Sequence, residues 1–177
     1  MAHRLLVCLF SLSAYLLTAQ DNTLGISLPA EVGYPFDVKL FRPTDSTQLK
    51  SADVLKKGEG PTVVAFWLTT CMPCHMELKA YSKAYEDWKK QAKFNLVAIS
   101  TDFPQRFQEI SAVARQIGMP FDVYWDGNRQ FSSVLPGGLN GLPQVFIFDK
   151  NGKLVWHHRR YRQGDEQAVL AQILALQ

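Results

Sequence analysis

Cys71-Met72-Pro73-Cys74 places two thiols three residues apart, just after an apolar, β-rich run from Thr62 to Leu68. A helix that starts at this junction brings its first turn up to Cys71. That turn carries unpaired backbone N–H groups and a partial positive charge. Both favour thiolate over thiol, so Cys71 is expected to have a lowered pKa and to be the attacking sulfur. Cys74 lies one turn deeper and is the resolving sulfur. A mixed disulfide on Cys71 is attacked by Cys74, which releases the reduced target. The bland alternative is a structural staple. So short a loop gains little chain entropy from closure, which argues for redox chemistry instead.

Other residues near the pair have two readings each. Glu77 follows Cys74 by three residues, on the same side of the helix, where a carboxylate can take and return protons during exchange. It is also an ordinary first-turn glutamate favoured by the helix dipole. Trp67 is either a flat wall beside the pair or a core aromatic at a strand end. Met72 offers a soft apolar contact to a partner, and Pro73 suits a helix start. With His75, the motif also matches covalent haem attachment, for which Met119 would be the distal ligand. A copper carrier using both thiolates and a histidine, His75 or His157, is a further alternative, since soft thiolates favour Cu(I). The basic run from His157 to Arg162 reads as a solvated strand end, with docking or metal binding as the sharper possibility.

The elements that must position these residues follow from periodicity. Thr62 to Leu68 predicts a central strand buried on both faces. Met72 to about Lys90 predicts a helix with Leu78, Tyr81, Tyr85 and Trp88 inward. Phe94 to Ser100 predicts a strand. Pro104 opens another helix, with Phe107, Ile110, Val113, Ala114 and Ile117 inward and Gly118 at its end. Phe121 to Trp125 predicts a short strand and Asn128 to Leu135 a helix. Gln144 to Phe148 and Lys153 to His158 predict a hairpin about Asp149-Lys150-Asn151-Gly152. Asp165 starts a last helix with Val169, Leu170, Ile173 and Leu174 inward. Near the start, Leu24, Ile26 and Leu28 alternate with polar residues, as do Phe36, Val38 and Leu40, which predicts a strand pair. Leu49 to Lys57 reads as a short helix or turn. This order implies an α/β layer structure with a mixed sheet and right-handed crossovers.

The chain has 177 residues, 47% of them hydrophobic, and a formal net charge of +3. That suffices for one domain with a real core. So mild a charge points to neither nucleic acid nor a membrane surface. His3 and Arg4 precede an apolar run from Leu5 to Leu17, shorter than the roughly 20 residues that span a bilayer. The layout predicts a cleaved signal over 1–19, which takes Cys8 with it, and a domain over 20–177. Export would place Cys71 and Cys74 where disulfides persist.

Trp67-x-x-x-Cys71-x-Pro73-Cys74 followed by Glu77 resembles the TlpA/ResA-like branch of the thioredoxin superfamily. So does Gly141-Leu142-Pro143-Gln144-Val145-Phe146-Ile147-Phe148-Asp149 with its turn at Gly152. The likeness runs from about Leu24 to the C-terminus. It implies a thioredoxin fold: a mixed central sheet flanked by helices, with an N-terminal strand pair and an inserted segment between Ser100 and Gly141. It implies that Pro143 is cis and packs against the cysteines, and that the Leu142 backbone pairs with substrate in β fashion. It gives Glu77 the proton-handling role. Thioredoxins themselves bury an acid six residues before the first cysteine, where this chain has Ala65. Thr70, Met72 and Lys79 depart from the commoner family residues without touching the thiol chemistry. Peroxide-reducing relatives use other spacings, which the lead-in Trp67-Leu68-Thr69-Thr70 does not fit. The resemblance therefore implies a protein-disulfide reductase that acts on exported proteins in the periplasm. It would work as a monomer, with no cofactor beyond its redox-active disulfide and no bound metal, and take electrons from a membrane thiol reductant.

Overall fold

The computed structural model describes residues 33–35, 37–54 and 59–177. The expected signal over 1–19 and the strand at Leu24 to Leu28 lie outside them. In chain order the elements are β1 (Lys39–Phe41), β2 (Gln48–Lys50), α1 (Ser51–Val54), β3 (Thr62–Trp67), α2 (Met72–Gln91), β4 (Asn95–Ser100), α3 (Phe107–Ile117), β5 (Asp122–Trp125), α4 (Gln130–Val134), β6 (Gln144–Phe148), β7 (Leu154–Arg159) and α5 (Asp165–Ala175). The strands form one mixed sheet in the order β2-β1-β5-β4-β3-β6-β7.

β3, β4 and β5 are parallel, with Trp67 opposite Ser100 and Ser100 opposite Trp125. β6 runs antiparallel to β3, with Gln144 opposite Phe66, and β7 returns antiparallel to β6, with Arg159 opposite Gln144. The chain ends of β3, β4, β5 and β7 and the start of β6 therefore share one edge of the sheet. Right-handed crossovers from β3 to β4 to β5 put α2 and α3 on the same face. There Val63, Ala65 and Trp67 pack with Leu78, Tyr81, Ile110, Val169 and Ile173. The other face buries Val64, Phe66, Ile99, Phe146 and Phe148 under Val54, Phe131 and Leu135. A strand covered on both faces must be apolar throughout, and every residue of β3 is buried.

Two expectations need correction. Among the described residues β1 pairs with β2 on one side and, through Phe41, with β5 on the other, and β2 takes the first residues of the stretch where a short helix or turn was expected from Leu49. The reason is the polar turn between them. Arg42 N–H donates to the Thr47 carbonyl, Ser46 N–H to the Arg42 carbonyl, and Asp45 accepts from Thr47 N–H. Helix follows only at Ser51. On α5, Leu174 is exposed at 41%, so the inward stripe is Val169 and Ile173 with Leu170 at its margin. Gly118 does end α3: its backbone is left-handed, with φ of 81°, where glycine carries no Cβ penalty.

Candidate active site

Cys71 and Cys74 are joined as a disulfide, with Cα atoms 5.2 Å apart. Cys71 is the N-cap of α2, and its Sγ accepts the Cys74 backbone N–H at 3.3 Å. A sulfur in the N-cap place takes up one of the orphan donors of the first turn, so the thiolate formed on reduction meets an N–H and the helix dipole together. Pro73 falls in the first turn, where a missing N–H costs nothing. Cys74 is fully buried and Cys71 is half-buried. Only Cys71 is within reach of a foreign disulfide.

The loop that carries Cys71 is tied to β4. Asp102, buried just past the end of β4, accepts the Thr69 N–H and the Thr69 hydroxyl, each at 2.8 Å, and the Ser100 hydroxyl at 2.8 Å. Its backbone carbonyl accepts the Trp125 indole N–H at 2.8 Å. Sequence reasoning missed Asp102. A polar residue after an apolar strand reads as loop, and only the register Trp67 to Ser100 places it beside Thr69.

Glu77 lies on the inward side of α2 and is 1% exposed. The Tyr81 hydroxyl donates to its Oε1 at 3.1 Å, and its Oε2 has no hydrogen-bond partner among the described residues. Burial pushes the carboxyl up to about 8, and the charge of Asp165 adds to this, while the Tyr81 hydrogen bond works against it. At neutral pH Glu77 is therefore mostly an uncharged acid, poised to give and regain a proton.

The Leu142–Pro143 bond is cis. Pro143 precedes Gln144, the partner of Phe66, so it sits beside Trp67 at the edge of the sheet from which Cys71 emerges. The Pro143 carbonyl accepts the Arg160 N–H at 2.8 Å, and no hydrogen bond among the described residues engages the Leu142 N–H or carbonyl. Leu142 is half-buried and packs beside both core clusters. Gln144 is buried; its amide donates to the Asn140 carbonyl at 3.1 Å, and its Oε1 lies 2.9 Å from His157 Nε2.

The remaining sequence candidates separate. Met72 is 67% exposed beside the disulfide, and Met76, one turn on and not singled out from sequence, is 55% exposed. Trp67 is fully buried and belongs to the core, so it supports the site from beneath and presents no wall to the surface. His75 stands against Trp67, ring centroids 6.2 Å apart. His157 stacks on Phe146 at 4.0 Å, on the sheet face opposite the cysteines, and burial pushes its pKa down to about 4. Met119 precedes β5 and lies at the far edge of the sheet from Cys71, so it is not placed as a ligand for a group held by the cysteines. Among the described residues, no cluster of three or more His, Cys, Asp or Glu is arranged to hold a metal ion.

A sheet of this order, with an N-capping cysteine at the strand-to-helix junction and a cis-proline loop beside it, defines a thioredoxin-fold dithiol protein. The chain belongs to the AhpC/TSA family, whose sequence pattern matches residues 33–157, and its likenesses are to TlpA/ResA-like members of the thioredoxin superfamily. It is similar to the thiol-disulfide oxidoreductase ResA of Geobacillus thermodenitrificans, 30% identical over 98 residues, which cover 55% of this chain and 53% of that protein. The match thus spans about half the length of that curated relative. An uncharacterized thioredoxin-like protein from Porphyromonas gingivalis superposes with a TM-score of 0.68 at 30% identity, covering 81% of this chain and 90% of that one. A putative thiol:disulfide interchange protein DsbE from Chlorobium tepidum has the same fold, with a TM-score of 0.66 at 24% identity over 82% of this chain and 97% of its own.

Proposed function

We propose that this protein is a thiol–disulfide oxidoreductase that reduces disulfides in exported proteins. In its reduced form the Cys71 thiolate attacks one sulfur of a substrate disulfide. A Cys71–substrate bond forms, and the first substrate thiolate leaves. Cys74 then loses its proton and attacks Cys71 Sγ, which closes the protein disulfide and expels the second substrate thiolate. Two electrons pass to the substrate, and two protons complete its thiols. Glu77 is one turn along α2 from Cys74 and buried beside it. Its ionised form, the minority at neutral pH and the majority above pH 8, takes the Cys74 proton as that thiol attacks, and the protonated form returns it in the reverse step. The Leu142 backbone accepts the substrate segment as an added strand, with Pro143 beneath it and Met72 and Pro73 at its side.

The observation that carries this reading is the half-exposed N-cap sulfur of Cys71, backed by a buried partner thiol. Export to the periplasm, by a signal over 1–19, fits an active disulfide, and there a membrane thiol reductant would return the pair to the dithiol. Among the described residues no helix is long and apolar enough to cross a membrane. Reduction of insulin with an added dithiol tests the activity. The protein accelerates it, and Cys71→Ser abolishes the acceleration; full activity in that variant sinks the assignment. The potential of the pair tells direction: a value near roughly −270 mV marks a reductant, and one near roughly −120 mV an oxidant.

A further inference from the structure

Two arginines flank the dithiol edge in backbone conformations that side chains avoid. Arg129, between β5 and α4, has φ of 54°, and Arg160, just past β7, has φ of 65°. Left-handed backbone favours glycine, and a side chain kept there points to a use for that side chain. Both conformations are pinned. Arg129 N–H donates to the Asp126 carbonyl, and the buried Asp126 carboxylate caps the next two N–H groups, of Gln130 and Phe131. Arg160 N–H donates to the Pro143 carbonyl, which ties it to the loop beside the cysteines.

Neither guanidinium has a carboxylate within ion-pair distance among the described residues. The acid that feels the Arg129 charge, Asp126, is engaged by the Gln130 and Phe131 N–H groups, and the acids that follow Arg160 in the chain are engaged too. Asp165 holds His158 and the Arg162 N–H, and Glu166 holds the Tyr161 hydroxyl and the Gly164 N–H. The Arg129 guanidinium lies over the Phe103 ring, 5.1 Å from its centroid, and Phe103 is itself 61% exposed. The edge thus has an arginine on either side and exposed apolar groups, Phe103, Met72 and Met76, between and beside them.

We infer that this edge docks an extended, cysteine-bearing protein segment with acidic side chains on both flanks of its cysteine. The inference rests on the proposed exchange chemistry at Cys71. β5 and β7 are four strand spacings apart, roughly 19 Å, which an extended chain crosses in about six residues. A cysteine near the middle of such a segment meets Cys71, and carboxylates toward its ends meet Arg129 and Arg160. Charge complementarity supplies orientation and encounter rate, and the methionines adapt to the apolar residues between.

The test compares two oxidised peptides of equal length, one with glutamates and one with lysines flanking the disulfide cysteine. The native protein reduces the glutamate peptide about ten-fold faster at low salt, and the gap narrows at high salt. Arg129→Gly with Arg160→Gly suits the backbone, so the variant folds, and it loses the preference; Arg129→Lys with Arg160→Asn retains part of it. Equal rates for the two peptides in the native protein, or a preference that survives the double glycine variant, overturn the proposal. So does retention on phosphatidylglycerol vesicles with equal peptide rates, which assigns the arginines to a lipid surface. A native protein that reduces neither peptide nor 2-hydroxyethyl disulfide overturns the exchange reading itself.

Discussion

Cys71 and Cys74 have the same side chain and different surroundings, and the surroundings assign their roles. The half-exposed sulfur at the N-cap is held by a backbone donor, and the buried sulfur waits beneath it. Cys74→Ser is therefore expected to accumulate a mixed disulfide on Cys71, seen as a mass increase that a reductant removes. Cys71→Ser is expected to form none. Glu77 is the acid beside the pair whose burial changes its chemistry, holding it neutral up to about pH 8. Glu77→Gln keeps the shape and removes the titration. The second step of exchange should then lose its inflection near pH 8 and slow by about 10²-fold, the usual worth of a positioned acid or base. Single-turnover release of the reduced substrate across pH 6 to 9 measures both.

Each element contributes by placing a few atoms. β4 delivers Asp102 under the loop that begins α2, and three donors converge on that one carboxylate. Asp102→Ala leaves a buried Thr69 N–H and two hydroxyls unpaired. A cost of about 2–4 kcal/mol is expected in urea unfolding, against about 1 kcal/mol for Thr69→Ser, which keeps the hydroxyl. β7 plays the matching part on the other side. His157 and Arg159 reach the loop before Pro143, the first through Gln144 and the second by donating to the Asn140 carbonyl at 3.1 Å. The Cys71 loop and the Pro143 loop thus hang from neighbouring strands whose register is held by a dry core.

For the molecule as a whole, a buried and a half-buried titrating group oppose each other in stability. Glu77 has a folded pKa raised from 4.5 to about 8, so its favourable share is full below 4.5 and is lost as pH rises through 8. His157 has a folded pKa lowered from 6.5 to about 4, so its share is present above 6.5 and is lost as pH falls through 4. Between those values the two slopes cancel. From these two groups, stability should be level between about pH 5 and 6 and should decline from 6.5 to 8. In Glu77→Gln the decline toward pH 8 should flatten. Thermal unfolding at constant ionic strength across this range provides the check, and an unchanged slope in the variant would contradict the burial of a neutral Glu77.

The sequence by itself determined the strand at Thr62, the helix at Met72, the dithiol between them and the late hairpin, because each is written in neighbouring residues. Apolar runs, helical spacing and turn chemistry act over a few positions and need no partner to be read. The family likeness added the cis bond at Pro143 and pointed to Glu77. Only the tertiary structure decided which side chains meet. Trp67 went into the core because β3 is covered on both faces. β1 took β2 as its partner because a polar turn folds them together. Asp102 reached Thr69, and Arg129 and Arg160 came to flank the cysteines, through parallel and antiparallel register between strands remote in the chain. Those pairings depend on how the whole sheet closes around its core, and no local stretch of residues encodes them.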